Sequence, residues 1–155
     1  MFVSTSRFKI PESVLVVIHS PQLDVLLIER ADRAGYWQSV TGSLDAPGEP
    51  LAVAARREVR EETGLDACVL RDWQHRICYE IYPHWRARYA PGVTQNTEHW
   101  FSLEVPRDAP ILLNPREHVG HRWLPWHQAA HQCFSASNRD AILRLPTQLG
   151  VAAAR

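Results

Sequence analysis

The chain has 155 residues, 45% of them hydrophobic and 22% charged, which is typical of one globular domain with a sizeable core. Seventeen basic and seventeen acidic residues leave no net charge, so the composition indicates no nucleic-acid or membrane partner. No apolar run approaches the roughly 20 residues of a membrane span, and the first residues contain no signal-peptide core. We therefore expect one cytoplasmic domain over residues 1–155, with its core at about 9–146, and a monomer. The odd number of cysteines (Cys68, Cys78 and Cys133) favours free thiols.

Short apolar or alternating runs, separated by Gly, Pro and polar residues, predict strands along the chain. The first run, 13–18, is continuously apolar and β-branched after its serine, which indicates a strand buried on both faces. Segments without Gly or Pro predict helices at 51–63, 126–132 and 138–145. We expect a loop at 83–95 and a frayed tail at 151–155. The predicted strands are residues 13–18, 25–30, 37–41, 68–70, 77–82, 99–105 and 121–124.

The predicted helix at 51–63 follows a Gly- and Pro-rich loop and ends at Gly64, a residue that suits the left-handed end of a helix. On a helical wheel its apolar stripe is narrow and includes Ala52. The arginines fall on the far side, although Arg57 could pair with an acid four residues on. Three carboxylates crowd one arc beside the apolar stripe: Glu58, Glu61 and Glu62.

Such a cluster is commonly a solvated acidic edge on a surface helix. Here the carboxylates lie next to the buried side of the helix and follow a Gly-rich loop, whose backbone groups can approach a ligand closely. Hard divalent cations bind clustered carboxylate oxygens. The pattern therefore favours a site for a metal-bound polyphosphate.

The segment from Gly42 to Leu65 resembles the Nudix box, which reads Gly, five residues, Glu, seven residues, then Arg-Glu-apolar-any-Glu-Glu-any-Gly-apolar. This chain supplies the second half from Arg57 to Leu65, with Glu49 at the family's distance before Arg57. It departs from the pattern once, because six residues separate Gly42 from Glu49. A turn at 45–48 can absorb the extra residue, so we expect the insertion to change the loop and not the glutamate cluster.

The resemblance implies the Nudix α/β/α sandwich, an α/β fold in which a mixed sheet is packed between helices. It also implies hydrolysis of a phosphoanhydride that depends on Mg²⁺, for which Mn²⁺ could substitute. The implied metal ligands are Glu58, Glu61, Glu62 and, from outside the box, Glu117, with Glu98 as the alternative to Glu117. Either Glu58 or Glu61 would accept the proton of the attacking water.

Three further stretches, 36–43, 88–98 and 135–139, are similar to the branch of the family that acts on dihydroneopterin triphosphate in bacterial folate biosynthesis. This similarity spans roughly residues 9–142 and implies release of pyrophosphate, which leaves dihydroneopterin monophosphate. The substrate-binding residues that it implies are Lys9, Arg30, Thr41, Tyr79, Glu80, Ile81, Tyr82 and Ser135.

Each implied residue has a physical role available and an ordinary alternative. Lys9 and Arg30 could neutralise phosphate oxygens, and Thr41 and Ser135 offer hydroxyl groups. The two tyrosines offer flat faces for a bicyclic pterin. The alternatives are surface cations and core aromatic residues. Arg86 and Arg88 could meet the terminal phosphates or could merely solvate the loop at 83–95.

Two other functions remain open at the level of the sequence. A hydrolase of common nucleoside triphosphates would share the metal site and differ only in the pocket for the base. A Nudix-fold binding module without turnover would usually have lost carboxylates from the box, whereas this chain keeps them. The histidine pairs His127/His131 and His118/His121 lack an obvious third ligand, which argues against zinc.

Overall fold

The computed structural model describes residues 8–67 and 69–150, so Cys68 and the predicted tail at 151–155 lie outside the described residues. Within them, four strands precede the first helix, and the last strand is followed by three short helices. The strands are β1 Glu12–His19, β2 Asp24–Arg30, β3 Trp37–Gln38, β4 Val40–Ser43, β5 Leu70–Glu80, β6 Gln95–Glu104 and β7 His118–Pro125. The helices are α1 Leu51–Thr63, α2 Trp126–Gln132, α3 Ala136–Leu143 and α4 Leu145–Gln148, with a 3₁₀ helix at Pro83–Arg88.

Strand β1 lies at the centre of one mixed sheet with the order β3-β2-β1-β6-β5. It pairs in parallel with β6, where Glu12 lies opposite Thr97, and antiparallel with β2 and β4. Strand β5 pairs antiparallel with β6, and β3 and β7 pair antiparallel with β2. Because helices pack on both faces of the sheet, the continuous apolar run of β1 is buried on both faces, as its composition predicts.

Alternate residues of β1 pack into two cores on opposite faces of the sheet. Val14, Val16 and Ile18 join the core that includes Ala54, Ala55 and Val59 of α1. Leu15 and Val17 join the core that includes Ala129 and Ala130 of α2 and Ala141 and Ile142 of α3. The sheet is therefore packed between helices, and the predicted α/β/α sandwich is confirmed.

The predicted strand at 37–41 is divided in two. Its first part, β3, pairs with β2, and its second part, β4, pairs with β1. Between them, the Ser39 backbone N–H is donated to the Asn138 side chain at 2.8 Å, and not to a neighbouring strand. A contact 99 residues away in sequence causes this division, so the local pattern could not reveal it.

Other boundaries also differ from the prediction. The two predicted strands at 68–70 and 77–82 are one strand, β5, whose register shifts between Asp72 and Arg76. Strand β6 begins at Gln95, four residues before the predicted start. The predicted helix at 138–145 is replaced by α3 and α4, because Pro146 cannot continue the hydrogen bonding of α3.

Both described cysteines have free thiols, Cys78 exposed and Cys133 buried. None of the helices in the described part of the chain has the length and apolar character needed to cross a membrane. The monomeric state that we expect from the sequence stays a prediction.

Candidate active site

The carboxylates of α1 differ in their burial. Glu58 and Glu62 are buried, 8% and 4% exposed, on the side of the helix that packs against the sheet. Glu61 lies at the rim, with about half of its side chain exposed. The buried stripe includes Ala54 and leaves Ala52 exposed, so the predicted stripe was rotated by part of a turn. This rotation places Glu58 and Glu62 within the buried face, and not beside it.

Gly42 on β4 makes room for the buried carboxylate of Glu58. A methyl group added at Gly42 would overlap all three atoms of the Glu58 carboxyl group. The absence of a side chain, and not an unusual backbone angle, is therefore what this glycine contributes, since its φ is not positive. Gly42, the first residue of the segment that resembles the Nudix box, thus lies directly against Glu58, the first glutamate of the cluster.

Arg57 connects the loop before α1 to the acidic cluster. Its guanidinium donates to Glu49 at 3.0 Å, to Glu58 at 2.7 Å and to the Ser43 carbonyl at 3.2 Å. It also lies 3.5 Å from Glu61, the pair that the i,i+4 spacing predicts. Arg57 therefore faces the carboxylates. The helical wheel had placed it on the far side of the helix, and that placement was wrong. Glu49, which follows the extra residue of the loop, reaches Arg57. That the insertion leaves the cluster unchanged stays a prediction.

The buried pair Glu58 and Glu62 is electrostatically unfavourable without a counter-charge. Burial raises the pKa of Glu58, and burial followed by the charge of Glu58 raises the pKa of Glu62 well above its usual range. Oε1 of Glu62 is buried and has no hydrogen-bond partner. His118 lies 4.0 Å from it, but burial lowers the His118 pKa to about 4, so this imidazole is neutral near pH 7.

These residues fit a hard divalent cation, because an unpartnered buried carboxylate oxygen lies among further carboxylates that supply only oxygen donors. In the described residues, however, no three acidic, His or Cys side chains already converge as a metal centre. Arg57 holds one oxygen of Glu58. A bound cation would therefore have to compete with this guanidinium for Glu58. All four predicted ligands line one open cavity of about 850 Å³: Glu58, Glu61, Glu62 and Glu117.

A second, more enclosed cavity of about 170 Å³ adjoins the first and is called the ring cavity below. The start of α3, the end of β5 and the 3₁₀ helix surround it. Every substrate-binding residue implied by the sequence lines it: Lys9, Arg30, Thr41, Tyr79, Glu80, Ile81, Tyr82 and Ser135. The structure thus brings these residues together, and their individual roles stay predictions.

The two cavities share four residues, three of which are cationic: Lys9, Arg30, Arg88 and Thr41. Arg30 is oriented by two hydrogen bonds of 2.8 Å that its guanidinium donates to the Asp32 carboxylate. Burial of its ammonium end, followed by the charges of Arg88 and Arg30, lowers the pKa of Lys9. The passage between the ring cavity and the acidic cluster is therefore lined by positive charge.

Aromatic side chains form one wall of the ring cavity. Tyr82 stacks on Trp85 with ring centroids 5.5 Å apart, and Phe134 meets both rings edge-on. The Arg30 guanidinium lies over the Trp85 ring, 4.3 Å from its centroid. Sequence reasoning missed Trp85 and Phe134, because nothing in a predicted loop or after a short helix distinguishes a lining aromatic residue from a core one.

The two loop arginines have different positions. Arg88 lines both cavities, whereas Arg86 donates to Glu80 at 2.7 Å and to the Ile81 carbonyl. Of these two arginines, Arg88 is the one that lines the passage. Whether it contacts the phosphates stays a prediction. Glu98, the alternative metal ligand, lines the ring cavity and does not line the acidic one.

Comparison with known proteins identifies the family to which the chain belongs. The family model described as the NUDIX domain matches residues 9–145. The chain belongs to the Nudix family. It is 44% identical over 140 residues to the dihydroneopterin triphosphate diphosphatase of Escherichia coli K12, covering 87% of this chain and 91% of that protein. It is 36% identical over 140 residues to the enzyme of the same name from Haemophilus influenzae, covering 88% and 87%.

The solved structure of the E. coli dihydroneopterin triphosphate pyrophosphohydrolase has the same fold as this Nudix chain. It matches with a TM-score of 0.82 at 44% identity, over 88% of this chain and 95% of that one. The chain is therefore a Nudix hydrolase, a class of enzyme that generally requires a divalent metal. The segment from Gly42 to Leu65 is its Nudix box.

Proposed function

We propose that this protein hydrolyses dihydroneopterin triphosphate to dihydroneopterin monophosphate and pyrophosphate, with Mg²⁺ as the metal. The relatives at 44% and 36% identity carry the name of that activity. The observation that carries the proposal is the junction of the two cavities. A ring cavity with aromatic walls opens through a cationic passage onto a carboxylate cluster, which is the order of groups in a heterocyclic triphosphate.

Each part of the site has a task in this reaction. Lys9, Arg30 and Arg88 would bind the triphosphate oxygens and hold the chain extended towards α1. The aromatic wall would contact the face of the ring and would exclude water from it. Positioning and charge are the main means by which enzymes accelerate displacement at phosphorus.

Glu58, Glu61, Glu62 and Glu117 would hold Mg²⁺, for which Mn²⁺ could substitute. When bound, the metal would offset charge on the triphosphate and lower the pKa of the attacking water. Glu58 and Glu61 are the candidates for the base that takes the proton of that water. They differ in setting, because Glu58 is buried and held by Arg57, whereas Glu61 faces solvent at the rim. Replacing Glu58 or Glu61 by Gln would separate the two roles. A variant that loses kcat at saturating Mg²⁺ would identify the base, and a variant that needs more Mg²⁺ would identify a metal ligand.

The direct test is a pyrophosphate-release assay with dihydroneopterin triphosphate and the four common dNTPs, with and without a chelator. We expect the pterin substrate to have the highest kcat/KM and all turnover to stop with the chelator. A dNTP with the highest kcat/KM would instead make the protein a nucleoside triphosphate hydrolase. Turnover that persists with the chelator would contradict the metal mechanism.

Glu62→Gln tests the acidic cluster. This change keeps the size of a buried side chain but removes the charge that burial disfavours. We expect the variant to lose most turnover while folding normally, and to lose the rise in melting temperature that Mg²⁺ gives the wild type. Full turnover at saturating Mg²⁺ would show that Glu62 is not a ligand.

A further inference from the structure

Asp32 is an acid beside the expected path of a negatively charged phosphate chain. It follows β2 and lines the same open cavity as the acidic cluster, in contact with Arg30 and Arg88. A carboxylate at this position repels phosphate, because like charges at short range repel each other. An exposed carboxylate is ordinarily one half of a surface ion pair, which contributes little to stability. The contacts of Asp32 are more specific than those of such a pair.

One carboxylate holds both arginines of the passage. Nε and Nη2 of Arg30 donate to Oδ1 and Oδ2 of Asp32, each at 2.8 Å, and this two-pronged geometry fixes the direction of the guanidinium. Nη2 of Arg88 donates to the same Oδ2 at 3.2 Å. The hydrogen bonds from Arg30 lower the pKa of Asp32 to about 2, although its partial burial opposes the shift. Asp32 therefore places a full negative charge between two cations that would otherwise repel each other.

Through these contacts Asp32 connects two separate elements of the site. Arg30 ends β2, whereas Trp85 and Arg88 belong to the 3₁₀ helix. The guanidinium of Arg30 lies 4.3 Å from the centroid of the Trp85 ring, and that of Arg88 lies 5.9 Å from it. The Trp85 side chain is a further hydrogen-bond neighbour of Asp32. The two arginines thus share one carboxylate and one aromatic ring, so the position of each depends on the other.

This arrangement leaves N–H groups of Arg30 available to a ligand. A guanidinium has five N–H donors, and Asp32 takes two of them from Arg30 while Gln38 takes one at 3.2 Å. The other two have no partner in the described part of the chain and can donate to phosphate oxygens. Because the guanidinium is already held in place, a phosphate that binds it does not have to order a flexible side chain.

We propose that Asp32 is a positioning residue, whose carboxylate holds Arg30 and Arg88 in the geometry that binds the phosphate chain of the substrate. This inference rests on the proposed function only in that the substrate is a triphosphate, and not on the identity of its ring. Its test depends on a sign. If Asp32 were only a nearby negative charge, its removal would strengthen the binding of phosphate. If Asp32 positions the two arginines, its removal weakens that binding.

The test compares Asp32→Asn with Asp24→Asn. Asp24 begins β2, at the opposite end from Arg30, pairs with Arg107 at 3.2 Å and lines neither of the two cavities. The measurement is kcat and KM for dihydroneopterin triphosphate and for dATP at saturating Mg²⁺. We expect Asp32→Asn to raise both KM values by roughly tenfold, as the loss of a hydrogen bond to a charged group would, and to change kcat by less than about threefold. Asp24→Asn should leave both constants unchanged, and an unchanged or lower KM in Asp32→Asn would overturn the proposal.

A double-mutant cycle asks whether Asp32 acts through Arg88. We expect Asp32→Asn to raise KM by a smaller factor in the Arg88→Ala background than in the wild type, because one of the two side chains that it positions is then absent. A general loss of folded protein would lower kcat and would not produce this coupling. Equal factors in the two backgrounds would overturn the positioning role.

The same measurements separate this role from the proposed function. A higher kcat/KM for dATP than for the pterin triphosphate would contradict the proposed function, whereas a raised KM for dATP in Asp32→Asn would still support the positioning role. A wild-type preference for the pterin triphosphate, with no rise in KM in Asp32→Asn, would overturn the positioning role alone.

Discussion

Gly42 shows how one missing side chain shapes the acidic cluster. We expect Gly42→Ala to fold but to lower kcat/KM by roughly 10-fold to 100-fold, because its methyl group would push the Glu58 carboxyl away from β4. Gly120→Ala is the matched control, since a methyl group at this strand position would make only ordinary contacts with Glu29 and Trp37. Steady-state kinetics at saturating Mg²⁺ would check the pair. Equal effects of the two changes would contradict the packing argument.

Glu98 should make stability depend on pH. Burial raises its pKa to about 7, although hydrogen bonds from Trp100 and Ser137 favour the charged form. The unfolded chain ionises this group near pH 4.5, so between pH 4.5 and 7 the folded protein binds the extra proton. The contribution of Glu98 to the free energy of unfolding therefore falls as pH rises through this window, and is constant above it.

The corresponding measurement is chemical denaturation of Glu98→Gln and the wild type at pH 5 and pH 8. We expect the free energy of unfolding of the variant, relative to the wild type, to rise by about 2–3 kcal/mol between the two pH values. Glu104→Gln, at an exposed position, should follow the wild type. A difference that does not change with pH would mean that the Glu98 carboxyl is ionised throughout.

At the scale of elements, the start of α3 connects two parts of the site. The Ser135 hydroxyl caps the helix and accepts from the Asn138 side chain at 2.7 Å, while Asn138 accepts from the Ser39 backbone at 2.8 Å. Asn138 thus fixes α3, which lines the ring cavity, to the junction of β3 and β4.

Removal of this side chain should be costly. We expect Asn138→Ala to lower the free energy of unfolding by about 1–3 kcal/mol, because the buried Ser39 N–H loses its acceptor. It should also raise KM, since α3 is no longer held against the cavity. Arg139→Ala, at the exposed neighbouring position, should change little. Chemical denaturation of both variants would check the prediction, and equal stability would refute it.

The sequence predicted the elements that depend on local patterns and missed those that depend on distant contacts. The apolar run of β1 and the Ala- and Glu-rich α1 are local, and both lie where they were predicted. The Ser39 N–H at the division is bonded to Asn138, and the buried Glu98 has Ser137 of α3 as a hydrogen-bond neighbour. Neither contact is visible in a window of neighbouring residues.

The same distinction holds for the site. The box spacing identified the acidic cluster, because the carboxylates lie on successive turns of one helix. The ring cavity is assembled from six separate stretches of chain, so its residues were implied by resemblance and not by spacing. Trp85 was missed and the role of Arg88 was left open, because the 3₁₀ helix that carries both residues has no periodic sequence pattern.

At the scale of the whole molecule, the cationic passage should control the binding of the phosphate chain. We expect Arg88→Ala to raise KM for the triphosphate by roughly tenfold, the equivalent of about 1.4 kcal/mol, because a charged contact with phosphate is lost. Arg86→Ala is the control, since Arg86 pairs with Glu80 outside the passage. Initial rates at low and high salt would test this, and the difference should shrink as salt rises. Similar KM values for the two variants would contradict the assignment of the passage.

The parallel pairing of β1 with β6 has a consequence for how the chain reaches this fold. Glu12 pairs with Thr97, so the parallel partner of the central strand is synthesised some 85 residues later. Closure of so long a segment slows folding, and until then the apolar run 13–18 has no parallel neighbour. While β6 is still inside the ribosome, this apolar run has an unpaired strand edge. We expect chaperones to bind it during that time.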